Sequence, residues 1–457
     1  MKIIHTADIH LGRRRLDGRL PDSDFATAFE YIANQAIAEK ADAFLLAGDL
    51  FDRPQVEPPH LRQAQHVLRL LKSAGIPVIA IEGNHDKQFV NTDASTWVRF
   101  LAEDDLLMLL RPEFHAEGVR LNQWNSESHT GARLEIGGVC FVGVGYLGAA
   151  TPNKIRQTLS QMEIGRPQVL LLHAGPEYFV GEGGGFSKED LQLIQEKVCY
   201  LALGHIHKPM VYGGWACNPG SPENCDLREA GYSQGKDGKP VERGYAVVEI
   251  DPGRHEKPVA LEVRSNPRRP CFRVEVDCTR FGNKTKDGAA ALLSAAVKAI
   301  QERHPDNQAV FEIVLTGNLN LNRIALDQTK ATEEIAQQSA IFAVSIDTSR
   351  LNIGSGFAPG GSVSGDLLPR DELERLTILQ LVRDQAIWGL QDEQQAFADL
   401  FYELKESVRG GQTSEAIASQ IGTSPLVEKI RLARATAATV AQPQISQDQV
   451  AVTEEIS

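Results

Sequence analysis

Ala43-Phe44-Leu45-Leu46-Ala47-Gly48-Asp49-Leu50-Phe51-Asp52 passes from an apolar run through a glycine into two carboxylates. A short apolar run bounded by a turn signal reads as a buried strand, and Gly48 lets the chain turn sharply where it ends. Four further segments likewise place potential metal ligands after an apolar run. Ile3-Ile4 precedes Asp8-Ile9-His10, and Val78-Ile79-Ala80-Ile81 precedes Gly83-Asn84-His85-Asp86. Val169 to Leu172 runs into His173, and Cys199 to Leu203 runs into Gly204-His205-Ile206-His207. Together they offer carboxylate, imidazole and carboxamide groups, a mixture that suits first-row transition metals better than magnesium or calcium.

Helix-like apolar spacing fills Asp24 to Glu39 and His60 to Ser73, between the first three strands. Strand and helix in alternation predict an α/β fold with parallel pairing and helices covering the sheet. Ligands of such sheets bind beyond the carboxyl ends of the strands, where all five motifs fall. Side chains two apart on extended chain point the same way, so Asp8 with His10, and His205 with His207, can each present two ligands. One histidine on an apolar strand is readily a core residue. Five motifs in this order predict a two-metal site.

The order D-x-H, G-D-x-x-D, G-N-H-D, H and G-H-x-H resembles the calcineurin-like metallophosphoesterase superfamily. His5-Thr6-Ala7-Asp8-Ile9-His10-Leu11-Gly12, with Ala47 to Asp52, resembles more narrowly the bacterial SbcD/YhaO-type DNA repair exonucleases. The resemblance is dense over residues 1 to about 250 and thin beyond. It implies an α+β sandwich of two sheets flanked by helices, holding two divalent ions, usually manganese (Mn2+), that hydrolyse phosphodiesters. By the same resemblance one metal takes Asp8, His10, Asp49 and His207, and the other takes Asp49, Asn84, His173 and His205, with Asp49 bridging. His85 matches the family's catalytic histidine, which steadies the transition state or protonates the leaving oxygen. Asp52 and Asp86 are expected to orient ligand histidines, with a helix N-cap as the alternative.

A net charge of −13 sits awkwardly with DNA as substrate, because proteins that track phosphates usually carry a basic surface. Arg13, Arg14 and Arg15, just after the first motif, are candidates for DNA phosphate contacts, with a solvated loop as the alternative. A second basic group comprises Arg264, Arg268, Arg269 and Arg273. The six cysteines form no Cys-x-x-Cys pair and read as buried free thiols of a reducing compartment. The first strand begins at once and no apolar run is long enough to span a bilayer, so a cytoplasmic enzyme without membrane contact is expected.

Residues 1–260 are expected to form the metallophosphoesterase, nuclease, domain, with Gly244 to Ile250 as a returning strand. Short strands and an alanine-rich helix over 268–353 predict a small α+β cap domain that, in the resembled family, helps seat DNA. A glycine-rich linker is expected over 354–368, followed by C-terminal helices over 369–436 and a disordered tail over 437–457. Leu373, Leu376, Leu379 and Val382, then Phe397, Leu400, Phe401 and Leu404, recur at helical spacing. The resemblance implies that such helices dock on the coiled-coil root of an SbcC-like, SMC-like ATPase; packing on each other is the alternative, and a homodimer stays open. The expected activity is that of a metal-dependent DNA exonuclease or endonuclease in DNA repair. The alternative is a metallophosphoesterase acting on a small nucleotide or other phosphodiester.

Overall fold

The computed structural model describes residues 1–87, 96–116, 118–181, 184–233, 241–251, 259–281, 285–319, 328–353, 378–379, 394–409, 412–427 and 429. The expected 354–368 linker, the helix expected from Pro369 apart from Leu379 and its neighbour, and the 437–457 tail lie outside these residues. The chain divides into two compact units, Met1–Gly354 and Ser355–Ser457.

In the first unit β1 (Lys2–Thr6) leads to α1 (Ser23–Ala38), β2 (Ala43–Ala47), α2 (Pro58–Ser73) and β3 (Val78–Ile81). Then come α3 (Trp97–Glu103), β4 (Met108–Leu109), the hairpin β5 (Glu113–His115) and β6 (Gly118–Arg120), β7 (Arg133–Ile136) and β8 (Val139–Val144). After α4 (Thr151–Gln161) follow β9 (Gln168–His173), α5 (Glu177–Val180), α6 (Lys188–Gln195) and β10 (Tyr200–Gly204). Short β11 (Met210–Tyr212) and β12 (Ala216–Asn218) precede β13 (Gly244–Ile250) and β14 (Val259–Ser265). Next are β15 (Cys271–Asp277), α7 (Thr285–Gln301), β16 (Val310–Leu319), α8 (Gln328–Ser339) and β17 (Ala343–Ile353).

Two six-stranded sheets result, ordered β14-β13-β1-β2-β3-β4 and β11-β12-β10-β9-β8-β7. The strands that lead into the five motifs pair in parallel at the centre of each, and β13, β14, β11 and β7 join antiparallel. The period of two in a strand sorts the apolar residues between layers. Ile3, Ala43, Leu45, Ile79 and Ile81 meet Phe141, Val169, Leu171, Tyr200 and Ala202 between the sheets. Ile4, Phe44, Leu46 and Ala80 point outward to Phe29, Ile32, Leu68 and Leu71 of α1 and α2. Val142, Leu170, Leu172 and Leu203 pack under Ile155, Leu159 and Ile194 of α4 and α6. This is the expected α/β sandwich, helices outside and two sheets within.

His5 falls on the inner face by the same alternation and is fully buried. Its Nε2–H donates to the Leu203 carbonyl at 3.1 Å while Nδ1 faces the Tyr200 hydroxyl at 2.8 Å, so it cross-links the sheets as a neutral ring.

A third, parallel sheet, β15-β16-β17, packs Val274, Ile313 and Val344 against Leu292, Ile300 and Ile335 of α7 and α8. Arg19 reaches it, donating to Thr332 Oγ1 and the Val344 carbonyl. Arg269 joins Asp24 to Gln308. In the second unit, α9 (Gln394–Arg409) and α10 (Ser414–Gly422) are linked by a hydrogen bond between Ser407 Oγ and Gln420 Oε1 at 3.0 Å. Phe397 and Phe401 stack on one another along α9.

Candidate metal centre

The loops leaving β1, β2, β3, β9 and β10 converge, and backbone strain concentrates where they meet. Asp8, His10, Asp49 and His205 all adopt positive φ (56°, 51°, 53° and 87°). Non-glycine residues enter this region at a cost of about 1–2 kcal/mol, and such outliers cluster at functional sites. Cross-loop hydrogen bonds hold them there. The amides of Asp8 and His10 donate to the Gly48 and Asp49 carbonyls at 3.0 and 3.1 Å. The amide of His205 donates to both Asp8 carboxylate oxygens at 3.0 Å, and that of His85 to Asp49 Oδ1 at 2.8 Å. Glycine is required at 48 and 83, since a Cβ would strike the His173 ring from the first and the Asp49 carboxylate from the second.

The donor atoms fall into two groups that share Asp49. Asp8, His10 and Asp49 each place one within 4.8 Å of the others, and His207 Nε2 lies 3.1 Å from His10 Nε2. In the second group Asn84 Oδ1 is 3.1 Å from His173 Nε2 and 3.0 Å from His205 Nδ1. Asp49 Oδ2 stands between, 3.7 Å from His10 Nε2 and 3.3 Å from His173 Nε2. Imidazole nitrogens aimed at each other, two buried carboxylates and a buried His10 Nδ1 without a hydrogen-bond partner form a set that divalent ions fit.

Charge is distributed unevenly across this set. Burial raises the pKa of Asp8. Burial also works against a charged Asp49, but the adjacent His173 outweighs it and holds that carboxyl below its usual range. His173 is correspondingly pushed up to about 9, burial opposing and Asp49 prevailing. His205 is pushed down to about 3 by burial and by His173 beside it. His205 thus presents a neutral ring, as a metal ligand must be.

Several surrounding groups orient the candidate donors. His173 Nδ1–H donates to the Ala47 carbonyl at 2.7 Å, which turns Nε2 toward Asp49. Asp52 Oδ1 lies 3.6 Å from His10 Nδ1 and accepts from Arg13 at 3.1 Å. His85 Nδ1–H donates to the Asp52 carbonyl at 2.8 Å, and its ring meets that of His10 edge-on. Asp86 corrects the sequence expectation. Its two oxygens accept from the Phe51 and Gly83 amides, so it fastens two ligand loops together and orients no histidine. Burial, with the charge of Asp49, pushes its pKa up to about 7.

The arginine run also departs from expectation. Arg15 is buried against Asp24 and Glu223 and stacks over Phe25, so it is closed to DNA phosphates. Arg13 turns inward to Asp52 and the Cys225 carbonyl. Only Arg14 of the three is exposed, and it pairs with Glu57. The second basic group is likewise engaged: Arg264 with Glu39, Arg269 with Asp24, Arg273 with Glu312 and Asp347, and Arg268 on the carbonyls of Pro222 and Arg243.

Glu229 went unread in the sequence. It lies in a 3-10 turn, Leu227–Ser233, and its Oε1 is 2.7 Å from His207 Nδ1 while Oε2 accepts from the Cys225 amide at 2.9 Å. The fully buried Arg243 sits behind it, 3.9 Å from Oε2. Tyr146, also missed, packs its ring on that of His205 with centroids 5.4 Å apart. Nothing local marks either residue; the only signal is a carboxylate soon after the turn-rich Asn218-Pro219-Gly220-Ser221-Pro222.

Residues 1–209 match the model of the calcineurin-like phosphoesterase family. The chain is 34% identical over 241 residues to the DNA double-strand break repair protein Mre11 of Archaeoglobus fulgidus, covering 50% of this chain and 52% of that protein. It is 28% identical to the Mre11 of Aeropyrum pernix, over 66% of this chain and 70% of that one. For the Mre11 of Sulfurisphaera tokodaii the figures are 27%, 46% and 50%. The match thus spans about half the length of the first and third of these relatives. Sequence, layered fold and converging donors agree that residues 1–209 are a calcineurin-like metallophosphoesterase domain, with relatives among the Mre11 DNA repair proteins.

Proposed function

We propose that this chain hydrolyses DNA phosphodiester bonds as an exonuclease or endonuclease of DNA repair, using two divalent ions, Mn2+ by preference. The observation that carries the reading is Asp49 Oδ2, placed between the two donor groups. One ion is assigned to Asp8, His10, Asp49 and His207, the other to Asp49, Asn84, His173 and His205. Bound there, such ions supply an activated water and stabilise charge on the phosphoryl oxygens. The chain's own residues do the rest. Asp52 anchors His85 through its carbonyl and leaves Nε2 to steady a phosphoryl oxygen or give its proton to the leaving oxygen. Glu229 and Ala47 fix which nitrogen of His207 and His173 faces the centre.

Residues 268–353 are proposed as the cap that seats DNA. The helices of 369–436 are proposed to dock on a coiled-coil ATPase, a reading supported by Phe401, about half exposed on α9. A second reading, hydrolysis of a small nucleotide, is favoured by one observation: the arginines near the centre are largely engaged within the protein. Purified chain given Mn2+ and either linear duplex DNA or a chromogenic phosphodiester separates the two. Release of nucleotides from DNA supports the nuclease, and cleavage of the small diester alone supports the second reading.

A further inference from the structure

Cys225 is a donor beside the metal centre that the assignment above leaves unused. It is 5% exposed, in the segment that carries Glu229. Its amide donates to Glu229 Oε2 at 2.9 Å and its carbonyl accepts from Arg13 Nε at 3.3 Å, so its backbone is pinned from both sides. One donor atom each of His10, His207 and Cys225 lies within 4.8 Å of the other two. A second observation points to a cation here: the buried His10 turns its Nε2 to His207 Nε2 at 3.1 Å, two imidazole nitrogens that converge on the same point.

We propose that His10, His207 and Cys225 form a site for a thiophilic divalent cation, zinc or cadmium, whose occupancy arrests the enzyme. The proposal rests on placing His10 and His207 in the catalytic centre. Manganese favours oxygen and nitrogen donors, whereas a thiolate selects zinc and its heavier relative. Two imidazoles and a thiolate are three of the four ligands that a closed, tetrahedral zinc site uses. On binding, the sulfur–hydrogen bond breaks, a metal–sulfur bond forms and the proton leaves to solvent; no electron is transferred. An ion held this way removes His10 and His207 from the hydrolytic ligand set. It also fixes them to a side chain with no part in hydrolysis. The opposing account makes Cys225 a filler of the apolar cluster that it shares with Phe51 and Tyr245.

Cadmium titration of the metal-free, full-length chain, followed by thiolate-to-cadmium charge-transfer absorption, decides between them. The expected result is a band that saturates at one ion per chain, is displaced by zinc, is lost in Cys225→Ser and Cys225→Ala, and survives in Cys140→Ser on β8. In Mn2+-dependent cleavage, half-inhibition by zinc should need at least about tenfold more metal in Cys225→Ser than in the unmodified chain, since losing even a group that only supports a ligand costs a metal site about 10- to 100-fold. A band that persists in both Cys225 variants, or zinc inhibition equal in all chains, overturns the proposal. If the unmodified chain fails to cleave DNA, the nuclease assignment falls, while the cadmium titration still decides the thiol site.

Discussion

His85→Ala should separate catalysis from metal binding. The structure gives His85 two separable attachments: its amide donates to Asp49 Oδ1, and its ring Nδ1–H donates to the Asp52 carbonyl. Alanine keeps the first, so the carboxylate shared by the two donor groups stays fixed. It removes the second, along with the Nε2 that faces the reacting phosphate in the proposed mechanism. A positioned general acid contributes about 10²- to 10⁴-fold, equivalent to about 3–5 kcal/mol of barrier. Turnover on linear DNA should fall by that factor while manganese per chain, measured by elemental analysis after dialysis, stays at the wild-type value. His10, Asp52 and His85 also form a compact donor group. Loss of an ion in the variant would assign His85 to metal binding and refute the separation.

Glu229→Gln should weaken binding of one ion by about 10- to 100-fold, the usual effect of removing a carboxylate behind a ligand histidine, and isothermal titration should show the other ion unaffected. Arg15→Ala should destabilise the fold by about 3–5 kcal/mol, because it strands the buried Glu223; Arg14→Ala should leave the denaturant midpoint unchanged. His5 supplies a pH test. Burial depresses its pKa to about 3 from 6.5, so its contribution to stability is whole above pH about 6.5 and is lost as pH falls toward 3. At pH 5 the loss amounts to about 2 kcal/mol, so the stability difference between pH 7 and pH 5 should be smaller by that amount in His5→Gln than in the unmodified chain. Equal differences would show that His5 keeps an ordinary pKa.

The sandwich and the convergence of the donor side chains were legible because their signals are local. Ala43 to Leu46 needs only its own apolar run to become a strand, and Asp49 needs only to follow it. The same locality explains what was missed. Glu229 acts on His207 from 22 residues away, through a 3-10 turn whose sequence resembles any polar loop. Arg15 reads as a basic surface residue, yet Asp24 and Glu223 draw it into the interior from two separate segments. Asp86 beside His85 suggested a histidine partner, but the tight turn at Gly83 directs its oxygens to backbone amides. Helix α3, the edge strand β14 and the antiparallel margin of the second sheet depend on contacts that short, irregular segments do not announce.

The central claim, that two ions share Asp49 and together cleave DNA, is tested most directly by measuring manganese content and cleavage of linear duplex DNA on the same samples of unmodified and Asp49→Asn protein. The account predicts two ions per unmodified chain with cleavage abolished by chelation, and fewer than two ions with no detectable cleavage in the variant. Near-normal cleavage by Asp49→Asn, or full activity of the unmodified chain with a single ion bound, would contradict it.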